Sequence, residues 1–384
     1  MNEQAQIGYI QVMSDYEKIR KECELNSMIS ERVVDDFLLH FAAGHQGQEK
    51  KMNTQFGWYR DVLQKLDKST VELLKSQYII HRVFRENGLI GKFLQHPGLK
   101  HLKGADREFL EQHASVPWRF SFSEVVGRPA EDFFEMRDVF SEEEYLLFSP
   151  GMSDITASES IMLWFNLVGF NGSCWQSFGP IGAFRSFDVE DILFFATERN
   201  PDIEGGDDVC ADIEKDPLPY MMLLTAAAYP RTFKDEDEMI YLLSEHDLDA
   251  LDTGALKKAF VSEYDDGIYR LTHKDFGEFP HFAVCYFDEE QKILLFTAMT
   301  ERGFGELIKT FNSFGYDYPD LPYLRVRPQM ITTAESILKK KIEVNEYHDR
   351  FETAPDPADS EFVDHMNDFM ALVLPDINAG RKPD

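Results

Sequence analysis

A chain of 384 residues, 43% hydrophobic and 13% aromatic, is long enough for two or three subdomains and carries enough apolar surface to close a sizeable core. Its 69 acidic against 39 basic side chains give a formal net charge of -30. That balance disfavours direct nucleic-acid binding and anionic membrane surfaces, and it suits a basic protein partner. The cysteines Cys23, Cys174, Cys210 and Cys285 are widely scattered, with no C-x-x-C pair. Together with the lack of a leader-like N-terminus or a span-length apolar run, this leads us to expect reduced thiols, a cytoplasmic location and no membrane association.

The expected fold class is α+β: an N-terminal helical domain over 1–115, a central antiparallel β-rich module over 116–199, an acidic linker over 200–216, an α+β domain over 217–345 and an acidic tail over 346–384. In the first part, Val34, Phe37, Leu38 and Phe41 recur at the spacing of one helix face, between a Ser30 cap and Gly44. Tyr59, Val62, Leu63 and Leu66 repeat the spacing, and Ser69-Thr70-Val71-Glu72 reads as a capping box. His40, His45, His81, His96, His101 and His113 all fall here, but their spacing fits no metal motif, so they are expected at solvated or helix-end positions.

From Pro117 the period changes to two. Trp118, Phe120 and Phe122 alternate with Arg119, Ser121 and Ser123, which predicts a half-buried strand ending at the turn Gly127-Arg128-Pro129. Phe133–Phe140, Tyr145–Phe148 and the almost wholly apolar Ile161–Phe170 are further strand candidates, and Asn171-Gly172 predicts a type I′ hairpin turn. Val189, Ile192, Leu193 and Ala196 give a closing helix. The last third reads as strands at Tyr220–Ala227, Met239–Leu243, Gly267–Leu271, Phe282–Phe287 and Ile293–Thr297. A helix capped by Thr300 follows, then another behind the box Thr332-Thr333-Ala334-Glu335. In the tail, Phe362, Met366, Phe369, Met370 and Val373 line one face of a short helix, a candidate for docking on its own body or in a partner's groove.

This order of parts resembles, in layout, uncharacterised bacterial proteins that often end in a zinc-binding SEC-C tail; the Cys/His tail is absent here, so no metal or other cofactor is expected. A local resemblance is more specific. Gly172-Ser173-Cys174-Trp175 resembles the nucleophile motif of papain-like cysteine peptidases, Pro280-His281-Phe282-Ala283-Val284 their histidine strand, and Gly303-Phe304-Gly305-Glu306 the end of their asparagine segment. It implies a Cys174 thiolate with His281 as its proton partner. The sequence departs from that family at Val168, where the oxyanion glutamine would stand, at Asn171 in place of a cysteine, and at Ala298 near the orienting asparagine. Pro180 would also interrupt a helix opened by Cys174. Read beside Asn171-Gly172, Cys174 fits better as a small core residue. The first expectation is therefore a non-enzymatic protein acting through protein contacts. A cysteine hydrolase using Cys174 and His281 is the alternative, and an acidic nucleic-acid mimic, carried by the acid runs at 200–216 and 235–252, is the second.

Overall fold

The computed structural model describes residues 3–157, 161–234, 236–344 and 347–351, with side chains from Asp15 onward except those of Gln46, His348 and Asp349. The chain is α+β and divides into two compact units: Met1–Leu242 with Pro322–Ile342, and Leu243–Leu321 with Glu343–Asp384. No described helix is long and apolar enough to cross a membrane. Phe362, Met366, Phe369, Met370 and Val373 lie outside the described residues.

The first unit opens with α1 (Glu3–Ser30), which runs through a π-helical stretch, Glu31–Leu38, into α2 (Leu39–Gly44). Ser30 is not a cap: it is itself helical, at φ -57° and ψ -49°. Then come α3 (Gln48–Trp58), α4 (Arg60–Leu63), α5 (Lys68–Phe84), α6 (Ile90–Gln95) and α7 (Ala105–Ser115). The cap of α5 is Asp67, whose Oδ1 accepts from the Thr70 backbone N–H at 2.9 Å, and not the Ser69–Glu72 box. Of the histidines expected at solvated or helix-end positions, His81 and His113 stand in the last turns of α5 and α7 but are fully buried.

The strands β1 (Arg119–Ala130), β2 (Phe133–Asp138), β3 (Glu144–Phe148), β4 (Leu163–Phe170) and β5 (Trp175–Phe184) stand close to where the sequence places them, with α8 (Pro150–Thr156) between β3 and β4. They do not form an open antiparallel sheet. They close into a barrel in the order β1-β2-β3-β5-β4, with β4 returning to β1. The pair β3–β5 is parallel, at Leu147↔Trp175 and Phe148↔Gln176. The run β4-β1-β2-β3 is a Greek key. Gly127-Arg128-Pro129 is no turn: it lies within β1, where register shifts after Val125 and Gly127 let one long strand bend.

Closure buries both faces of β1 over Phe120–Ser123. Phe120 and Phe122 stack on Phe165 at 4.9 and 4.2 Å and belong to the core shared with the helices. The alternate residues, expected to meet water, are Ser121 and Ser123, and both are buried. Ser121 Oγ donates to Asp138 Oδ2 at 2.6 Å, and the Ser123 and Tyr145 hydroxyls meet at 2.8 Å, so these polar groups are satisfied by one another.

After the barrel come α9 (Val189–Arg199), α10 (Gly206–Lys215), α11 (Leu218–Met221) and the small hairpin β6 (Phe233–Lys234) with β7 (Asp237–Glu238). The expected acidic linker is thus largely helix α10. Its Val209 and Ile213 are buried, Asp207 and Asp208 sit in its first turn where the helix dipole favours them, and Asp212 pairs with Arg199. These carboxylates have local structural work, which weakens the nucleic-acid-mimic reading. Tyr220–Ala227 is also helical, as α11 and the 3-10 turn Met222–Ala226. A short apolar run buried on all sides does not distinguish strand from helix.

The second unit begins within β8 (Tyr241–Asp247) and continues through α12 (Thr253–Leu256), β9 (Phe260–Asp265), β10 (Ile268–His273), β11 (Val284–Asp288), β12 (Ile293–Ala298) and α13 (Glu301–Asn312). Its strands lie in the order β8-β12-β11-β10-β9. The polar hairpin at Asp288 is as expected, with Asp288 Oδ1 accepting from the Glu290 and Gln291 N–H groups at 2.9 Å each. The chain then returns to the first unit through β13 (Leu324–Val326) and α14 (Pro328–Leu338), before α15 (His348–Phe351) in the second. Helix α14 starts at Pro328, not behind Thr332, whose hydroxyl instead bonds the Gln329 carbonyl at 3.1 Å.

Candidate functional site

The π-helical stretch is where the first unit departs most from regular structure. The Leu39 N–H reaches back to the Val34 carbonyl, five residues earlier. Val33, Val34 and Leu38 hold its inner side in the core. Widened turns of this kind recur at functional sites. Here the stretch edges a cleft of about 440 Å³, within the range of small-ligand pockets. Leu73, Ser76, Gln77 and Ile80 of α5 form one wall at helical spacing, and Gln176–Gly179 of β5 form another. Gln77 fastens the two: its Nε2 donates to the Phe178 and Pro180 carbonyls at 2.8 and 2.9 Å. Gly179 permits that approach, since it holds φ +76° and a Cβ there would stand 3.1 Å from the Gln77 side chain.

Charge and greasiness meet in this cleft. Val34, Leu39, Ile80, Leu167 and Phe178 supply apolar lining, while Glu31 and Asp35 supply carboxylates one helical turn apart. Burial pushes the Asp35 carboxyl up from the ordinary range, and the neighbouring Asp36 and Glu31 push it further. A cation in the cleft would offset the repulsion between Glu31 and Asp35, the two carboxylates that line it. A second depression, of about 490 Å³, lies by Glu124, Asp138, Glu142 and Glu144, but its one cation, Arg137, already pairs with Glu124 and it lacks a comparable apolar lining.

Cys174 stands at the end of the β4–β5 turn. The turn is closed by the Asn171 N–H on the Cys174 carbonyl at 3.1 Å and by Asn171 Oδ1, which accepts from the Ser173 and Cys174 N–H groups. Of Asn171 and Gly172, only Gly172 takes a positive φ, +102°, so the turn is not the type I′ form expected. The Cys174 thiol is 2% exposed and meets no base of its own. Its partner is the Cys23 sulfur on α1, 3.2 Å away. The contact with Cys23 raises the Cys174 pKa, and burial raises it further. Cys23 is held below the usual thiol range by that contact and, against burial, by Asn171 Nδ2 at 3.3 Å. Phe133 and Phe148 pack beside the pair.

His281 falls in the second unit. Arg302 Nη2 lies 3.0 Å from its Nε2 and can only donate, so Nε2 is the acceptor and Nδ1 carries the proton, toward Thr300 Oγ1 at 2.6 Å. Thr300 in turn caps α13 through the Gly303 N–H. Cys174 and His281 thus belong to different units, and each is engaged by partners of its own unit. The chemistry of a cysteine nucleophile needs a lowered pKa at the attacking thiol, which Cys174 does not have. Among the described residues no group of three or more His, Cys, Asp or Glu side chains is placed to hold a metal ion.

The sequence reading passed over Glu31, Asp35, Gln77 and Gln176, and it named Cys23 only as a scattered thiol. The four-residue spacing of Glu31 and Asp35, on a helix face shared with Val34 and Leu39, was the one signal available. No family model, curated protein or solved structure matches this chain.

Proposed function

We propose that this protein is a non-enzymatic binding protein that takes a basic, amphipathic segment of a protein partner into the cleft beside the π-helical stretch. The observation that carries the reading is the lining: two carboxylates, Glu31 and Asp35, over Val34, Leu39, Ile80 and Phe178. A Lys or Arg head would meet the carboxylates while its alkyl stem and apolar neighbours covered the lining. The net charge of -30 adds long-range attraction for such a partner.

A synthetic Lys/Leu peptide with helical spacing, titrated calorimetrically into the full chain, tests this. Binding is expected to weaken roughly tenfold as salt rises from about 50 to about 300 mM. The double variant Glu31→Gln, Asp35→Asn should also lose at least about tenfold, roughly the cost of one charge-assisted contact. That variant removes two charges of a large excess, so general attraction to an acidic surface survives it. Equal affinity for the variant and the parent would overturn the reading.

A further inference from the structure

We propose that Cys23 and Cys174 are a redox couple, and that a hydroperoxide joins them in a disulfide tying α1 to the β4–β5 turn. The inference is independent of what the cleft binds. The two sulfurs stand 3.2 Å apart, so a bond of about 2.05 Å needs them to close by only about 1.2 Å. They come from positions 151 residues apart in the chain, and two thiols meeting by chance in a core would need only apolar neighbours. This pair has more. Asn171 grips both residues, donating from Nδ2 to Cys23 Sγ at 3.3 Å and accepting at Oδ1 from the Cys174 N–H at 2.9 Å. Gln176 fixes the α1 side, its Nε2 donating to the Cys23 carbonyl and to Ser27 Oγ at 3.1 Å each, while Asn26 Nδ2 and Asn171 Nδ2 both donate to its Oε1 at 2.7 Å. The helix and the turn are thereby held in register by groups that do not depend on the sulfurs bonding.

The polarity of the pair assigns the roles. Asn171 Nδ2 stands 3.3 Å from Cys23 Sγ and 3.9 Å from Cys174 Sγ, and the nearer donor makes Cys23 the thiolate-prone member. Its sulfur attacks the peroxide: an S–O bond forms, the O–O bond breaks, and the departing hydroxide leaves as water with one proton. With the Cys23 sulfur oxidised, the thiol contact that raises the Cys174 pKa is gone, and Cys174 attacks the Cys23 sulfenic acid; the S–S bond forms, the S–O bond breaks, and the hydroxide leaves as a second water with the Cys174 proton. Two thiols are oxidised by two electrons and one hydrogen peroxide is reduced to two waters. Gln176 and Ser27 line the cleft, and Gln176 Nε2 bonds both Ser27 Oγ and the Cys23 carbonyl; Cys23 itself is fully buried behind them, so hydrogen peroxide reaches its sulfur through local opening of α1 against the β4–β5 turn.

The test uses the full chain, reduced, freed of reductant and exposed to a small excess of hydrogen peroxide before alkylation in denaturant. The expected product is about 2 Da lighter, has lost two alkylatable thiols, and yields a tryptic species joining the Cys23 and Cys174 peptides. The variant Cys210→Ser, Cys285→Ser should form it equally well. Closing so long a loop should raise the Tm by roughly 5–10 °C. In Cys174→Ser, Cys23 should instead advance to the sulfinic acid, a gain of about 32 Da. The proposal is overturned if four thiols still alkylate after treatment, if the link involves Cys210, Cys285 or a second chain, or if Cys23 in the parent is over-oxidised while Cys174 remains free.

Discussion

Burial sets the protonation of several side chains in the first unit, and it pulls them in opposed directions. Burial pushes His113 down to about 3, and burial likewise lowers His81 although Glu214 pulls it back. An unfolded histidine accepts a proton near 6.5 that the folded chain refuses. The stability these residues contribute is therefore whole above that pH and is lost as pH falls toward 3. Asp191 behaves the other way. Burial and the adjacent Asp188 push it up to about 7 from 3.8, so its contribution is whole below 3.8 and is lost as pH rises through 7. Asp188, held low by Arg327 against its own burial, acts only below that interval. Between about pH 4.5 and 6.5 the Asp191 slope offsets part of the slope from the two histidines. Asp191→Asn removes that offset. The Tm of the parent should fall modestly on acidification across that range, and that of the variant by several degrees more. Parallel curves would mean that Asp191 stays ionised throughout.

The helix–barrel junction within the first unit is decided by one aromatic stack. Trp118 lies between Phe84 at 4.3 Å and Phe178 at 3.8 Å, and its Nε1 donates to His113 Nδ1 at 2.9 Å. Gly169 on β4 faces it, and a Cβ there would stand 2.6 Å from the Trp118 Nε1. With a ring on each face and a hydrogen bond at its edge, the indole has nowhere to retreat. Gly169→Ala should cost about 1–3 kcal/mol or more in urea unfolding. Gly57→Ala, in α3 with nothing within 4 Å of the added methyl, should gain roughly 0.5–1 kcal/mol. If both changes proved neutral, the tight packing described at Trp118 would be wrong. Strands of this kind were legible in the sequence, since an alternating or wholly apolar run marks a strand whatever it pairs with. Closure was not legible. Ser121 and Ser123 look like solvent-facing residues in one dimension; the β1–β2 and β2–β3 pairings bring Asp138 and Tyr145 to them, and the return of β4 with the parallel β3–β5 pair closes the barrel. The cleft was hidden for the same reason: its walls come from α1, the π-helical stretch, α2, α5, β4 and β5, and no local spacing joins Gln77 to Phe178 or Cys23 to Cys174. By contrast, the cysteine motif was visible as letters while its environment, the part that decides thiol chemistry, was not.

The whole chain is two units, and the first is not continuous in sequence. Its last piece, 322–342, carries Arg327, which is 3% exposed. Arg327 Nη1 lies 2.6 Å from Asp191 Oδ2 and also pairs with Asp188, while its Nη2 donates to Glu238 at 2.9 Å. The Arg327 N–H adds a bond to Asp191 Oδ1 at 2.8 Å. Behind it, Met330, Ala334 and Ile337 of α14 are buried in the common core. A chain ending at Leu242 would leave Asp188, Asp191 and Glu238 without the guanidinium that bonds all three. Removing one partner of a buried ion pair costs about 3–5 kcal/mol, a large share of the 5–15 kcal/mol that ordinarily holds a domain together. All four tryptophans, Trp58, Trp118, Trp164 and Trp175, belong to this unit, so tryptophan emission reports on it alone. The fragment 1–242 should therefore show red-shifted emission and no sharp thermal transition at neutral pH, where the full chain shows blue-shifted emission and a cooperative one. A peptide of residues 322–342 added in excess should restore the blue shift, and the same peptide with Arg327→Gln should not. A fragment that melts as sharply as the full chain would show that the unit closes without its returning helix.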